Sequence, residues 1–190
     1  MARSYVKSKR AENQAETRQR IVEAAVALHG EIGPIATTIS TIAERAGVQR
    51  HTVYAHFADE KSLFMACSGL HAEQHPLPSP DAWATINDPA TRLRAALSAL
   101  YAWFAENEAM IRNVLRDAET NDALREVSSL RFGGPLRAIH HSLSGGLGAK
   151  GKAALTLAMS FYTWRSLTHE ARLTPKDAVA LMVRSILTAE

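Results

Sequence analysis

Apolar residues recur along this 190-residue chain mostly at helical spacing. Ile21, Ala24, Ala25 and Leu28 fall at i, i+3, i+4 and i+7, one face of an amphipathic helix that starts near Thr17. Gly30 and Gly33-Pro34 end it. A second helix follows Thr38, with Ile39, Ile42, Ala43 and Ala46 on one side and Gly47 as its stop. A third spans about 50–57, and a fourth runs from Asp59-Glu60-Lys61 through Leu63, Phe64, Met65 and Leu70. Three prolines within five residues, at 76, 78 and 80, then forbid a helix and predict a loop. Helical periodicity resumes over 90–105, 108–118 and 122–143, the last kinked or split at Gly133-Gly134-Pro135. Glycines at 145, 146 and 148 form a loop, and helices over 150–168 and 175–188 follow. Thr174 caps the last of these, with Pro175 in its first turn. No segment alternates as a strand does, and no repeat is visible. The pattern predicts an all-α chain.

Residues 1–15 are polar, basic and poor in large apolar groups, which predicts a flexible arm. Six basic side chains against Glu12 and Glu16 give residues 1–20 a net charge of +4. The whole chain carries +3, so the other 170 residues carry −1. A basic arm on a near-neutral body fits a polyanion such as DNA, and it equally fits a solvated tail. The single cysteine, Cys67, excludes an intrachain disulfide and points to a reducing compartment. The start shows no signal peptide, and the longest uncharged apolar run, 153–164, is too short to span a membrane. A cytoplasmic protein is expected.

The segment from Thr38 to Phe57 has the outline of a helix-turn-helix. Two short amphipathic helices meet across Gly47, which can take the positive φ of a tight turn. Val48, Val53 and Phe57 should face the core. Gln49, Arg50, His51, Thr52, Tyr54 and His56 remain outside, with no acid among them, as base edges and phosphates require. A helical hairpin serving only as packing in a small-molecule-binding or scaffold protein has the same outline. The acid-free face and the basic arm favour DNA.

The run Val53-Tyr54-Ala55-His56-Phe57-Ala58-Asp59-Glu60-Lys61-Ser62-Leu63-Phe64 resembles the end of the DNA-binding domain of TetR-family transcriptional regulators. In that family an aromatic pair on the recognition helix precedes a short turn, a lysine and an apolar pair. Residues 17–33 and 38–46 resemble its first two helices, so the likeness covers about 14–66. It implies a DNA-binding domain over 1–64 and a helical effector-binding and dimerisation domain over 65–190. By position it places Thr38 on phosphate, Gln49, Arg50, His51 and Thr52 in the major groove, and Tyr54, His56 and Lys61 on the backbone. Arg50 is the first choice for base readout, because its fork matches guanine. His51 departs from the smaller residues often found there, so the base preference does not carry over.

The charge-free run 153–164 predicts a helix that needs cover on every side. A central helix of a monomer meets that need, and so does a dimer partner. The resemblance selects a four-helix homodimer interface, which an acidic residue at Leu155 or Ala158 should disrupt. Trp103, Phe104, Met110, His140, Phe161, Trp164 and Arg165 are the candidates for an effector pocket, with Phe132, Met159 and Tyr162 as further lining. Large aromatics and few charges suit an apolar or aromatic small molecule.

Enzymatic chemistry finds no footing. His71 and His75 have the spacing of two metal ligands, but Pro76 ends their helix and no third ligand is evident. His140-His141-Ser142 lacks an orienting acid. Cys67 has no basic neighbour to activate it. No phosphate loop or dinucleotide fingerprint is present, so no cofactor or metal is expected.

Overall fold

The computed structural model describes residues 2–189, with side chains from residue 9 onward. In chain order the helices are α1 (Ala2–Glu31), α2 (Ile39–Ala46), α3 (Arg50–His56), α4 (Glu60–Gln74), a 3₁₀ turn (Pro80–Trp83), α5 (Pro89–Glu106) and α6 (Glu108–Ala118). They continue as α7 (Asp122–Ser128), a π turn (Ser129–Gly133), α8 (Gly134–Leu143), α9 (Ala149–Ala158), α10 (Phe161–Arg165), a second π turn (Ser166–Glu170) and α11 (Pro175–Thr188). No strand occurs among the described residues. Capping side chains set several starts. Thr91 N donates to Asp88 Oδ2 at 2.8 Å, Leu124 N to Asn121 Oδ1 at 2.8 Å, and Asp177 N to Thr174 Oγ1 at 3.2 Å. Each such cap contributes about 1 kcal/mol.

The chain forms two compact units that interleave in sequence. The first is Met1–Gln74 with Ala109–Arg131, and the second is His75–Glu108 with Phe132–Glu190. In the first, α1 packs on α2, α3 and α4. Ile21, Ala25, Ile42 and Val53 are the most deeply buried members of its main core, none more than 1% exposed. A second cluster joins Phe64 of α4 to Leu124 and Val127 of α7. The expected flexible arm is helical instead: α1 runs back to Ala2. Residues 2–15 hold neither Gly nor Pro and are rich in Ala, Lys, Arg, Glu and Gln, so propensity extends the helix where no core demands it.

In the second unit α11 packs against α9 and α5, and α10 bridges α5 and α9. Trp83 is 1% exposed and donates its indole N–H to Ser142 Oγ at 3.2 Å, which pins the proline-rich segment to α8. The continuous helix expected over 150–168 is broken. Ser160 is extended at ψ 133°, and the chain restarts at Phe161. The break frees the Ala158 carbonyl, which accepts the buried Tyr101 hydroxyl at 2.9 Å. Leu155 and Ala158 are fully buried within this chain, so an acid at either would destroy its own core. They cannot report on a partner. Leu157, 64% exposed, lies on the opposite face. Among the described residues, no helix is long and apolar enough to cross a membrane.

Candidate nucleic-acid interface

Thr38 starts α2 through a reciprocal cap. Its Oγ1 accepts Thr41 N at 3.1 Å, and Thr41 Oγ1 accepts Thr38 N at 3.0 Å. Gly47 ends the helix at φ 65°, ψ 39°, the left-handed conformation that the turn into α3 requires. Arg20 Nη1 donates to the Ala46 carbonyl at 3.1 Å, and the Arg18 guanidinium stacks 4.9 Å above the Phe57 ring. Two cations of the basic N-terminal stretch therefore brace the helix-turn-helix itself.

Val53, wholly buried, and Phe57, 4% exposed, anchor α3 from beneath. Gln49, Arg50, His51 and Tyr54 stand exposed, and Thr52 and His56 are half-buried. Among the described residues, none of these six side chains makes a hydrogen bond or ion pair within the protein. An uncovered polar helix face without internal partners is free to meet an external one. Lys61 differs: its Nζ lies 2.6 Å from Glu126 Oε1 of α7. Both side chains are exposed, so the pair adds little stability and yields readily to a competing anion.

Sequence reading missed the support beneath this surface. Asn113 Nδ2 donates to the carbonyls of His29 and Gly30 at 3.1 and 2.9 Å. Asp117 Oδ2 accepts Ile35 N at 2.9 Å, while its Oδ1 accepts Arg116 Nε at 2.7 Å. Arg116 Nη2 donates onward to the Ile32 carbonyl at 3.2 Å. Gly33, at φ +100°, passes beneath these groups, where a Cβ would collide with Arg116 and Asp117. The α6 side chains thus shape the loop that delivers Thr38. The available signal was Asn113 and Asp117, two polar residues four apart on an otherwise apolar stripe. Replacing Asp117 with Ala should strand the Ile35 N–H and cost about 1–3 kcal/mol. Faster amide exchange at Ile35, with exchange in α11 unchanged, would check it.

Four of the proposed effector residues meet in the second unit. The ring of Phe104 lies 5.9 Å from that of Trp103, 5.7 Å from Phe161 and 5.8 Å from Trp164. Phe132 joins at 6.2 Å from Trp103. Arg165 Nε approaches Glu108 Oε1 at 3.8 Å. His140 is placed elsewhere, with Nε2 3.3 Å from the Lys152 carbonyl and 3.2 Å from Thr156 Oγ1. Met110 belongs to the first unit, beside Gly30. Cys67 is buried, and burial pushes its thiol up to about 12, as expected for a structural thiol.

Fold and surface together define a helix-turn-helix with an uncovered, acid-free polar face on its second helix. Residues 21–67 match the family described as bacterial regulatory proteins, tetR family. The chain is 42% identical over 62 residues to the HTH-type transcriptional regulator SrpR of Pseudomonas putida, covering 33% of this chain and 28% of that one. It is 43% identical over 49 residues to the HTH-type transcriptional regulator AcrR of Shigella flexneri, covering 26% and 23%. The chain spans well under half the length of these relatives. Solved structures extend the likeness of fold to most of the chain. A putative TetR-family regulator from Mesorhizobium loti superposes with a TM-score of 0.62 over 92% of this chain and 95% of that one, at 19% identity. A putative transcriptional regulator from Pseudomonas aeruginosa gives 0.66 over 89% and 88%, at 17% identity. Over residues 21–67 the chain is thus similar to the tetR family of bacterial regulatory proteins, and over most of its length it shares the fold of solved regulators.

Proposed function

We propose that this protein is a homodimeric, cytoplasmic repressor that binds a palindromic DNA operator and is released by a small apolar or aromatic effector. The observation that carries this reading is the face of α3: exposed, acid-free and without internal partners, on a helix held rigidly by Val53. In this reading Arg50, with Gln49, His51 and Thr52, reads base edges in the major groove. Thr38, Tyr54, His56 and Lys61 hold phosphates, and Lys61 exchanges Glu126 for the DNA backbone. Selecting bound sequences from a random duplex pool tests the reading, and recovery of no inverted repeat overturns it.

Two substitutions separate the roles. Arg50→Ala should cost about 1–3 kcal/mol on the selected operator and relax preference at one position per half-site. Lys61→Ala should weaken all sequences alike and flatten the salt dependence by about one unit per subunit. Fluorescence anisotropy across a salt series, on selected and scrambled duplexes, distinguishes the two. A uniform loss with Arg50→Ala would remove it from base readout.

The effector is proposed to bind at the aromatic cluster of Trp103, Phe104, Phe161 and Trp164, with Arg165 orienting any polar end. Within the second unit Glu108 lies 3.8 Å from Arg165 and 3.4 Å from His169, so it holds the cation that would face the effector. An effector acts only by its differential affinity for the DNA-binding and released states, which for 1–3 kcal/mol means about 5–150-fold.

A further inference from the structure

The DNA-binding unit has a cavity of its own. It measures about 340 Å³ and lies among the end of α1, the α1–α2 loop, α2 and the α3–α4 turn. Its most buried lining is apolar: Ile42, Phe57, Leu63 and Phe64 are each at most 4% exposed. Its exposed lining holds Thr38, Tyr54, Asp59 and Glu60. A cavity of about 150 Å³ holds benzene, so this one has room for a bicyclic aromatic.

His29 also lines the cavity and is only 5% exposed. Among the described residues neither of its ring nitrogens has a hydrogen-bond partner, although its ring packs edge-on against Phe64 at 5.8 Å. Burial holds it neutral, lowering its pKa to about 4. The acids at the mouth are also only partly engaged. Asp59 Oδ1 accepts Ser62 N at 2.7 Å, and Glu60 Oε2 accepts Asn121 Nδ2 at 3.0 Å, which leaves one oxygen of each without a hydrogen bond among the described residues. No lysine or arginine lines the space. An anion is therefore repelled and an organic cation is favoured.

We propose that this cavity binds a small ammonium compound with an aromatic or aliphatic body, and that its binding strengthens the hold on DNA. The apolar body fills the buried part beside His29, and the ammonium pairs with Asp59 and Glu60. The link to DNA rests on the function proposed above, in which Thr38 and Tyr54 contact phosphate. Two carboxylates beside those groups repel the DNA backbone, and a bound ammonium offsets one of the two charges. By linkage, the factor by which the cation raises operator affinity equals the factor by which operator raises cation affinity.

Calorimetric titration of the full chain with 2-naphthylmethylammonium tests the site without DNA, with 2-naphthylmethanol and 2-naphthoate as matched neutral and anionic controls. The ammonium should bind at least about tenfold tighter than the alcohol, and the carboxylate weakest, since charge-assisted hydrogen bonds are about twice as strong as neutral ones. The double change Asp59→Asn and Glu60→Gln keeps the acceptors and removes the charge. It should bring the ammonium to the alcohol's affinity. A crystal soaked with the ammonium should place its rings beside His29. Equal binding of all three probes, an unchanged affinity in the double variant, or rings found only in the second unit would overturn the site. In a separate arm, the ammonium should raise operator affinity severalfold, and the double variant should show that gain without it. Probe binding with no gain overturns the link to DNA. Failure of the unaltered protein to bind any duplex overturns the proposed function instead, and the titration still decides the site.

Discussion

Acidification from pH 7 to pH 5 should cost the protein about 2 kcal/mol of stability through His29 alone. Burial lowers the pKa of this imidazole from 6.5 to about 4, against a smaller opposing pull from the charge of Asp117. The folded state keeps His29 neutral while the unfolded chain takes up a proton near pH 6.5. Between about pH 6.5 and pH 4 the unfolded state thus binds more protons, and stability falls as pH falls. Below pH 4 both states are protonated and the loss levels off at about 3 kcal/mol, since a tenfold difference in proton affinity is worth about 1.4 kcal/mol. Other groups titrate over the same range, so the comparison is with His29→Leu, which keeps an apolar side chain and binds no proton. Urea unfolding of both chains at pH 7 and pH 5, at one protein concentration, should give a wild-type loss about 2 kcal/mol larger. Equal losses would mean that His29 is solvated or protonated in the fold.

The residues that marked the helix-turn-helix in the sequence all act locally. Gly47 turns, and Val53 and Phe57 mark one face; each acts within a few residues of its own position, and the structure bears each out. The all-α class was legible for the same reason, because helical periodicity is a local property. Features that depend on a distant partner were not legible. The pairing of Lys61 with Glu126 joins residues 65 positions apart, and Asp117 reaches Ile35 across 82. Nothing in the spacing of either pair announces the contact. The break at Ser160 was hidden for another reason. Residues 153–164 are charge-free and contain neither Gly nor Pro, so no local signal interrupts the period. The Tyr101 hydroxyl, which takes up the freed carbonyl, comes from α5. Arg18 and Arg20 counted as arm charge in the sequence, yet the fold sets them on Phe57 and Ala46. Charge totals cannot separate a cation offered to DNA from one used in packing.

Leu157→Asp should separate the subunits and lower operator affinity by several orders of magnitude, the largest effect expected of any single change here. Large apolar side chains remain exposed on the last helices: Leu157 at 64% on α9, Tyr162 at 51% on α10, and Leu181 and Leu187 at 38% and 43% on α11. Under the proposed function a second copy covers them in a two-fold interface, so each changed residue acts twice. An unpaired carboxylate buried there costs about 3–5 kcal/mol. Since Leu157 faces outward, the subunit's own core, with Leu155 and Ala158 at 0%, is untouched. Helical content and the Tyr101–Ala158 contact should therefore survive, which distinguishes lost association from unfolding. The DNA consequence follows from symmetry. A dimer places two α3 helices about 34–36 Å apart on successive major grooves, and joins two half-site contacts into one binding event. A monomer keeps only one, and tethering alone can be worth about 10²–10⁴ in affinity. Sedimentation velocity at micromolar concentration and anisotropy on whole and half operators check both parts. Were the unaltered chain to sediment as a monomer, or the variant to stay dimeric, α9–α11 would not be the interface. Were the variant monomeric yet bound to the whole operator as tightly as before, each subunit would read DNA alone.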